Sequence, residues 1–350
     1  MSAREYGSEF EIAARREKFA DGVDGSRRVF LRSGRDAVGL CADFVGKGKA
    51  LLPAYSCTSM STPFVVRGYT CVFYPIKPDL SPNSDAVLLL ARQTLPSVVL
   101  LCDYFSASVP KGLASRLKEE VGNITVVVDV THTVLDLGRR YDPGVDFYVA
   151  SLRKLIGVVN GGFLLSARDL PYVPEYCPNG FTEDRRKAFD LKNEYFYTHD
   201  ARAKAEYRGL FAKAEASLEG ERCVVGADKA STEQIEGLDV SAIKRARRVN
   251  YEHLAARIAD CTKCKPLLPE MPHTAPFSCP ILAEDRDRTQ EALASSGVYA
   301  PVLWPLDELA RRECGVAAQL SQGMLSIPID QRYGYADIEQ IGCVIRKVCG

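Results

Sequence analysis

From about residue 29 to 166 the chain alternates short apolar runs with amphipathic stretches. The runs are VFL, ALLPA, CVFYPI, SVVLLCDYF, ITVVVDV, DFYVASL and GGFLLS. Their length and their Val, Ile, Phe and Tyr content predict β-strands, and ITVVVDV is apolar enough for a central strand covered on both faces. Between them, 34–44, 58–67 and 111–120 have the length and periodicity of crossover helices. The alternation predicts an α/β fold: a mainly parallel sheet sandwiched by helices.

The pattern changes further along. Residues 182–218 are rich in Lys, Arg, Glu and Ala and read as helical, and a second helical stretch covers 241–258. Past it come an apolar run at 277–283, a helix at 286–296, short apolar runs at 302–304 and 324–329, and a closing helix from Tyr335. This predicts a large domain over 1–240, with an N-terminal arm over 1–28, and a smaller C-terminal α+β domain over 241–350. The sequence contains no internal repeat or low-complexity segment.

Composition narrows the function classes. With 350 residues, 46% of them hydrophobic, the chain has apolar mass for one large core and a smaller one. Its 45 basic and 45 acidic residues cancel, so no global field draws nucleic acid, an anionic membrane or a polyanion. Any phosphate site must be built locally. The start, MSAREYGSEFEIAARREKF, is charged and lacks the apolar core of a signal peptide, and no run approaches the ~20 apolar residues of a membrane span. The expected compartment is the cytoplasm. Most of the 12 cysteines sit singly in strand-like runs (Cys71, Cys102) or helix-like ones (Cys41, Cys343), as small buried thiols rather than a disulfide scaffold.

Three separated segments carry the chemistry. Ser33-Gly34-Arg35 stands where a loop enters a helix, so free N–H groups and the positive helix end are placed to hold an anion. The plainer role for Ser33 is an N-cap. In VVVDVTHT, Asp129 falls at the carboxyl end of a buried strand, where ligands bind in open α/β sheets. A carboxylate there needs a positive partner, such as a protonated pyridine nitrogen. His132 follows three residues on, able to touch the same ring or to serve as a hydrogen-bonded structural histidine. In DFYVASLRKLIGVVNGGFLL a strand delivers Ser151 and Lys154 into a loop, and Gly161-Gly162 permits a tight return. Near a phosphate and a pyridinium, a lysine sheds its proton readily and forms an imine with an aldehyde. Ser151 is positioned to donate to the phosphate. A strand-end aspartate is otherwise a loop cap or metal ligand, and a lone lysine after a strand is usually a surface residue.

These segments resemble the DegT/StrS-type sugar aminotransferases of the aspartate-aminotransferase superfamily. The resemblance runs from about Phe30 to Leu165, and weakly through LSIPIDQRYG. SGRDAV is similar to the family's phosphate loop, LLPAYSCTS to its P-x-x-T segment, VVDVTHT to its E-D-A-A-H, and SLRKLIGVVNGG to its lysine loop. The resemblance implies a pyridoxal-phosphate (PLP) transferase of fold type I, a homodimer with sites at the interface. Lys154 would be the Schiff-base lysine, moving the proton between the substrate Cα and the cofactor's C4′, and Asp129 would keep the pyridine nitrogen protonated. Ser33, Gly34, Arg35 and Ser151 would bind the phosphate. An amino acid would donate the amino group and a keto compound, such as a nucleotide-linked keto-sugar, would accept it. The sequence departs from the pattern at Cys57, where the family often places an aromatic over the ring, which leaves Tyr55 or His132 for that face. Val128 stands for the usual Glu, and Arg35 for the usual Thr.

The same lysine and aspartate also serve PLP-dependent lyases, racemases and condensing enzymes, and a non-catalytic PLP-binding protein would keep the fold without turnover. Asn193, Tyr195 and Tyr197 lie where family members send polar groups into a neighbouring subunit's site, and Trp304 and Arg332 where a small domain closes over substrate. Arg332 is a candidate for a substrate carboxylate or phosphate. Cys261 and Cys264, with His273 and Cys279 downstream, have the residue types of a zinc site, but prolines interrupt the segment and no metal is expected. No GxGxxG, Walker A, HExxH or GxSxG motif occurs.

Overall fold

The computed structural model describes residues 28–105, 109–140, 142–166, 168–268, 275–306 and 314–350. The expected N-terminal arm and His273 lie outside these residues. Among the described residues seven strands form the main sheet: β1 (Arg28–Leu31), β2 (Lys49–Pro53), β3 (Thr70–Tyr74), β4 (Val98–Cys102), β5 (Thr125–Asp129), β6 (Phe147–Ser151) and β7 (Gly162–Ser166). Their order is β1-β7-β6-β5-β4-β2-β3. The pairings from β3 to β6 are parallel, and β7 runs antiparallel to both β6 and β1. The expected mainly parallel sheet is therefore present. Every residue of β4, β6 and β7 is buried, as it must be in strands covered on both faces.

The helices are α1 (Gly34–Val45), α2 (Thr58–Val65), α3 (Ser84–Thr94), α4 (Leu113–Val121), α5 (Leu137–Arg140), α6 (Gly180–Thr198), α7 (Ala201–Ala216), α8 (Lys229–Glu236), α9 (Val240–Arg257), α10 (Arg286–Ser295), α11 (Gly315–Gly323) and α12 (Tyr335–Cys349). The helical stretch expected over 182–218 is two helices. His199 ends α6 in the left-handed region at φ 54°, and Asp200 caps α7 by accepting a hydrogen bond from the Arg202 N–H. Three further strands, β8 (Cys264–Pro266), β9 (Cys279–Ala283) and β10 (Met324–Ile327), form a separate antiparallel sheet in the order β10-β9-β8. The run at 302–304 forms no strand. Tyr251, Ile281, Ile327 and Ile341 belong to a second apolar cluster around this sheet, whereas Ile243, Trp304 and Leu320 pack into the main core. No helix among the described residues is long and apolar enough to cross a membrane.

Two chain crossings bring the chemistry-bearing segments together. Gly162 pairs with Leu31 on one side and Ser151 on the other, so β7 ties the loop before α1 to the lysine loop. A Cβ on Gly162 would collide with the Ser33 carbonyl, so only glycine fits there. A Cβ on Gly34 would stand 3.0 Å from that of Ser151, so α1 begins almost in contact with the end of β6.

The contrast between two glycines tests this packing. Gly162→Ala is expected to cost about 1–3 kcal/mol of stability through overpacking. Gly209→Ala, at an exposed position inside α7 with open space around it, is expected to stabilise by about 0.5–1 kcal/mol. Equilibrium urea unfolding reads both, and a Gly162→Ala protein as stable as wild type would show that β7 does not press on Ser33.

Candidate active site

A cleft opens at the carboxyl ends of β5 and β6, beside the start of α1. Gly34, Arg35, Cys57, Asp129, Ser151 and Lys154 all line it. These six sequence-predicted residues come from four separate stretches of chain, brought to the end of the sheet where open α/β folds bind ligands.

Asp129 closes β5 and is buried. Its Oδ1 accepts a hydrogen bond from the Thr131 N–H at 2.8 Å. Burial raises its carboxyl above the ordinary carboxylate range, while the Thr131 hydrogen bonds and the charge of Lys154 oppose that rise. A cation placed against it would restore the charged form. At the end of β6, the Ser151 N–H donates to Thr131 Oγ1 at 3.0 Å, so Thr131 ties the aspartate to the serine. Ser151 is 7% exposed, and its buried Oγ has no hydrogen-bond partner among the described residues. A buried hydroxyl left this way is costly unless something in the cleft takes it.

Lys154 ends a single 3₁₀ turn, Leu152–Lys154, with its side chain exposed on the cleft and its Nζ 6.0 Å from the centre of the Trp304 ring. The turn is held from both ends. Leu152 N–H donates to Gly161 O at 2.6 Å, and the Leu155 carbonyl accepts from Gln331 Nε2 at 2.8 Å and from Arg247 Nη2 at 3.2 Å. Arg247 is buried and also donates to the Phe277 carbonyl at 2.7 Å, which ties the lysine loop to the segment before β9.

His132 is buried. Its Nδ1 accepts from the Phe105 N–H at 3.2 Å, and its ring stacks on Phe277 with centroids 4.0 Å apart. Burial first, and the nearby Lys154 charge second, push its pKa well below the ordinary value, so the ring is neutral with its proton on Nε2. Tyr55 is buried against Trp304, their rings 5.3 Å apart, and its hydroxyl donates to the Leu303 carbonyl. Cys57 caps α2 at the cleft, its Sγ 2.7 Å from Ser59 Oγ.

Other sequence-predicted residues lie elsewhere. Ser33 caps α1, accepting from the Asp36 N–H at 3.2 Å, and faces the buried Arg32–Asp36 pair. The Arg332 guanidinium forks Asp330 at 2.7 and 2.8 Å. Asn193 is half-buried on α6, and Tyr195 packs against Tyr207 in the α6–α7 core. Cys261 is half-buried, Cys264 and Cys279 are buried in the second core, and among the described residues no group of His, Cys, Asp and Glu is arranged to hold a metal.

Sequence reasoning missed Arg153 and Glu215, which also line the cleft. Burial alone would raise the Glu215 carboxyl, but the charges of Arg153, Arg185 and Arg35 outweigh it and hold the group at about 2. A carboxyl depressed in the folded state stabilises above its ordinary value of 4.5, and that contribution disappears as pH falls toward about 2. Wild type is therefore expected to be more stable than Glu215→Gln at neutral pH, with the gap closing on acidification through that window. Paired denaturation curves at several pH values check this, and a gap independent of pH would refute it.

No family model and no curated sequence matches the chain. Solved structures do match. PseC from Helicobacter pylori, an aminotransferase involved in the biosynthesis of pseudoaminic acid, superposes with a TM-score of 0.67 at 13% identity, covering 99% of each chain. The aminotransferase TlmJ from Streptoalloteichus hindustanus gives 0.65 at 18% identity, over 93% of this chain and 87% of that one. A DegT DnrJ EryC1 StrS aminotransferase from Brucella abortus gives 0.61 at 16% identity, over 92% and 86%. The chain has the fold of the DegT/StrS-type aminotransferases.

Proposed function

We propose that this chain is a PLP-dependent aminotransferase, moving an amino group from an amino acid to a keto acceptor of the nucleotide-linked keto-sugar class. The observation that carries the reading is the meeting of Lys154, Asp129, Ser151 and Gly34 around one cleft. Its residues fit the cofactor at three points. The Ser151 Oγ, without a hydrogen-bond partner among the described residues, and the start of α1 offer donors to a phosphate. Gly34 keeps that end open, because a side chain there would press on Ser151. Asp129, its carboxyl raised by burial, offers the counter-charge for a protonated ring nitrogen.

Bound there, PLP supplies an electron sink and a carrier for the amino group. The chain's own residues do the rest. Lys154 Nζ is the group that would hold the cofactor and, when free, would take the proton from the substrate Cα. Asp129 holds the ring-nitrogen proton. Thr131 keeps aspartate and serine in register, and His132, neutral and stacked, backs the site without adding charge. Tyr55 and Trp304, both buried with their rings 5.3 Å apart, put an apolar surface near Lys154.

The same reading takes 241–350 as a small domain closing on the cleft. It also pairs two copies, with Asn193 and Tyr197 of α6 turned to the neighbour's site. The 89% exposure of Tyr197 supports that placement. The cytoplasm is the proposed compartment.

The test is visible absorbance with and without PLP, then borohydride reduction and peptide mapping. Reduction is expected to fix the cofactor on Lys154 and to fix none in Lys154→Ala. Asp129→Asn is expected to keep the cofactor but slow the half-reaction with an amino donor by about a hundredfold or more. Label on another lysine, or none in wild type, would overturn the reading.

A further inference from the structure

The second apolar core, around β8, β9 and β10, holds a group of thiols that the chemistry above does not use. Cys261 and Cys264 form a C-x-x-C that leads from the end of α9 into β8, and Cys349 ends α12. All three belong to this core, and all are free thiols. The Lys263 N–H donates to the Cys349 carbonyl at 2.9 Å, which seats the last turn of α12 against the start of β8. The Cys264 side chain is hydrogen-bonded to those of Cys349 and Cys261, and the Thr289 side chain of α10 is hydrogen-bonded to Cys349. Cys349 is 0% exposed and Cys264 3%, whereas Cys261 is only half-buried and reaches solvent.

The three thiols differ in kind. The Cys264 hydrogen bond, opposed by burial and assisted by the Thr289 hydroxyl and the Lys263 charge, holds the Cys349 thiol below its ordinary range. The same contact holds the Cys264 thiol well above its own, so the proton of the pair stays on Cys264. A core that needed only apolar filling would gain nothing from a charge at this place, because burying one is costly. A thiolate is the nucleophile of thiol–disulfide exchange, and here it touches a thiol that in turn touches the one sulfur of the three open to a small molecule.

We propose that Cys261, Cys264 and Cys349 form a thiol–disulfide exchange site, which takes oxidising equivalents from a small-molecule disulfide at Cys261 and holds them as a Cys264–Cys349 disulfide. Cys261 attacks the S–S bond of the oxidant and forms a mixed disulfide, and the first thiol leaves with the Cys261 proton. Cys264 then attacks the Cys261 sulfur, and the second thiol leaves with the Cys264 proton. In the last step the Cys349 thiolate attacks Cys264, and Cys261 departs as a thiolate. The oxidant is reduced to two thiols by the electron pair that Cys264 and Cys349 give up. The product fastens the end of α12 to β8, so the redox state of the surrounding thiol pool is recorded in how the last helix is held. None of this depends on the cofactor reading.

The test uses the full chain, reduced with dithiothreitol, freed of it and incubated with glutathione disulfide. Remaining thiols are alkylated at intervals, and the protein is digested and mapped by mass spectrometry without reduction. A cross-linked peptide pair joining Cys264 to Cys349 is expected in wild type, and dithiothreitol is expected to remove it. The exposed Cys177, Cys223 and Cys343 serve as controls and are expected to carry only the mixed disulfide. Cys261→Ser is expected to form the cross-link about tenfold or more slowly, because the oxidant loses its accessible point of entry. Cys349→Ser is expected to stop at a Cys261–Cys264 disulfide, and if it fails to fold by circular dichroism, Cys349→Ala carries the same expectation. Absence of the Cys264–Cys349 link in wild type, a mixed disulfide that persists on Cys261, or an unchanged rate in Cys261→Ser would each overturn the exchange site and leave the three thiols as core packing.

Discussion

The passage of β7 beside the Ser33 carbonyl is the contact on which the site depends. At Gly162 the chain lies against β1 and β6 at once, and a single methyl group would push them apart. Because β1 leads into α1 and β6 leads into the lysine turn, that one contact sets how far the anion-binding helix end stands from Ser151 and Lys154. The sheet supplies direction and the glycine supplies distance. Without the close approach, each segment would fold correctly and still fail to share a cleft.

The lysine turn is held from opposite sides by elements of different character. On one side, Arg185 and Glu215 of α6 and α7 grip Val158, Val159 and Arg153 through charge. On the other, Arg247 and Gln331 converge on the Leu155 carbonyl and join it to the segment that seats Phe277 on His132. A loop of seven residues between Lys154 and Gly162 has few hydrogen bonds of its own to fix it, so this external grip keeps the amine in place.

Much of this was legible in the sequence. The apolar strands, the two glycines and the strand-end aspartate follow from local rules of periodicity and backbone freedom, and the fold they imply is present. What escaped was side-chain pairing across long separations. Glu215 lies on a helix whose sequence reads as surface, and nothing near it announces that it meets Arg153 and Arg35. Arg332 reads as a free guanidinium because its partner, Asp330, stands two residues away with no periodicity to mark the pair. The break between α6 and α7 was hidden because His199 is not a glycine, and Asp200 looks like any other charge in a polar stretch.

Trp304 is the single tryptophan of the chain, and it is buried where Tyr55, Tyr104 and the Lys154 amine converge. The protein thus carries a built-in optical probe at one address, with no second indole to blur its signal. Any chromophore seated near Lys154 would drain its emission by energy transfer, and any shift of the segment bearing it would change its colour. The conformational life of this cleft can be followed by fluorescence in the unaltered protein, without a label.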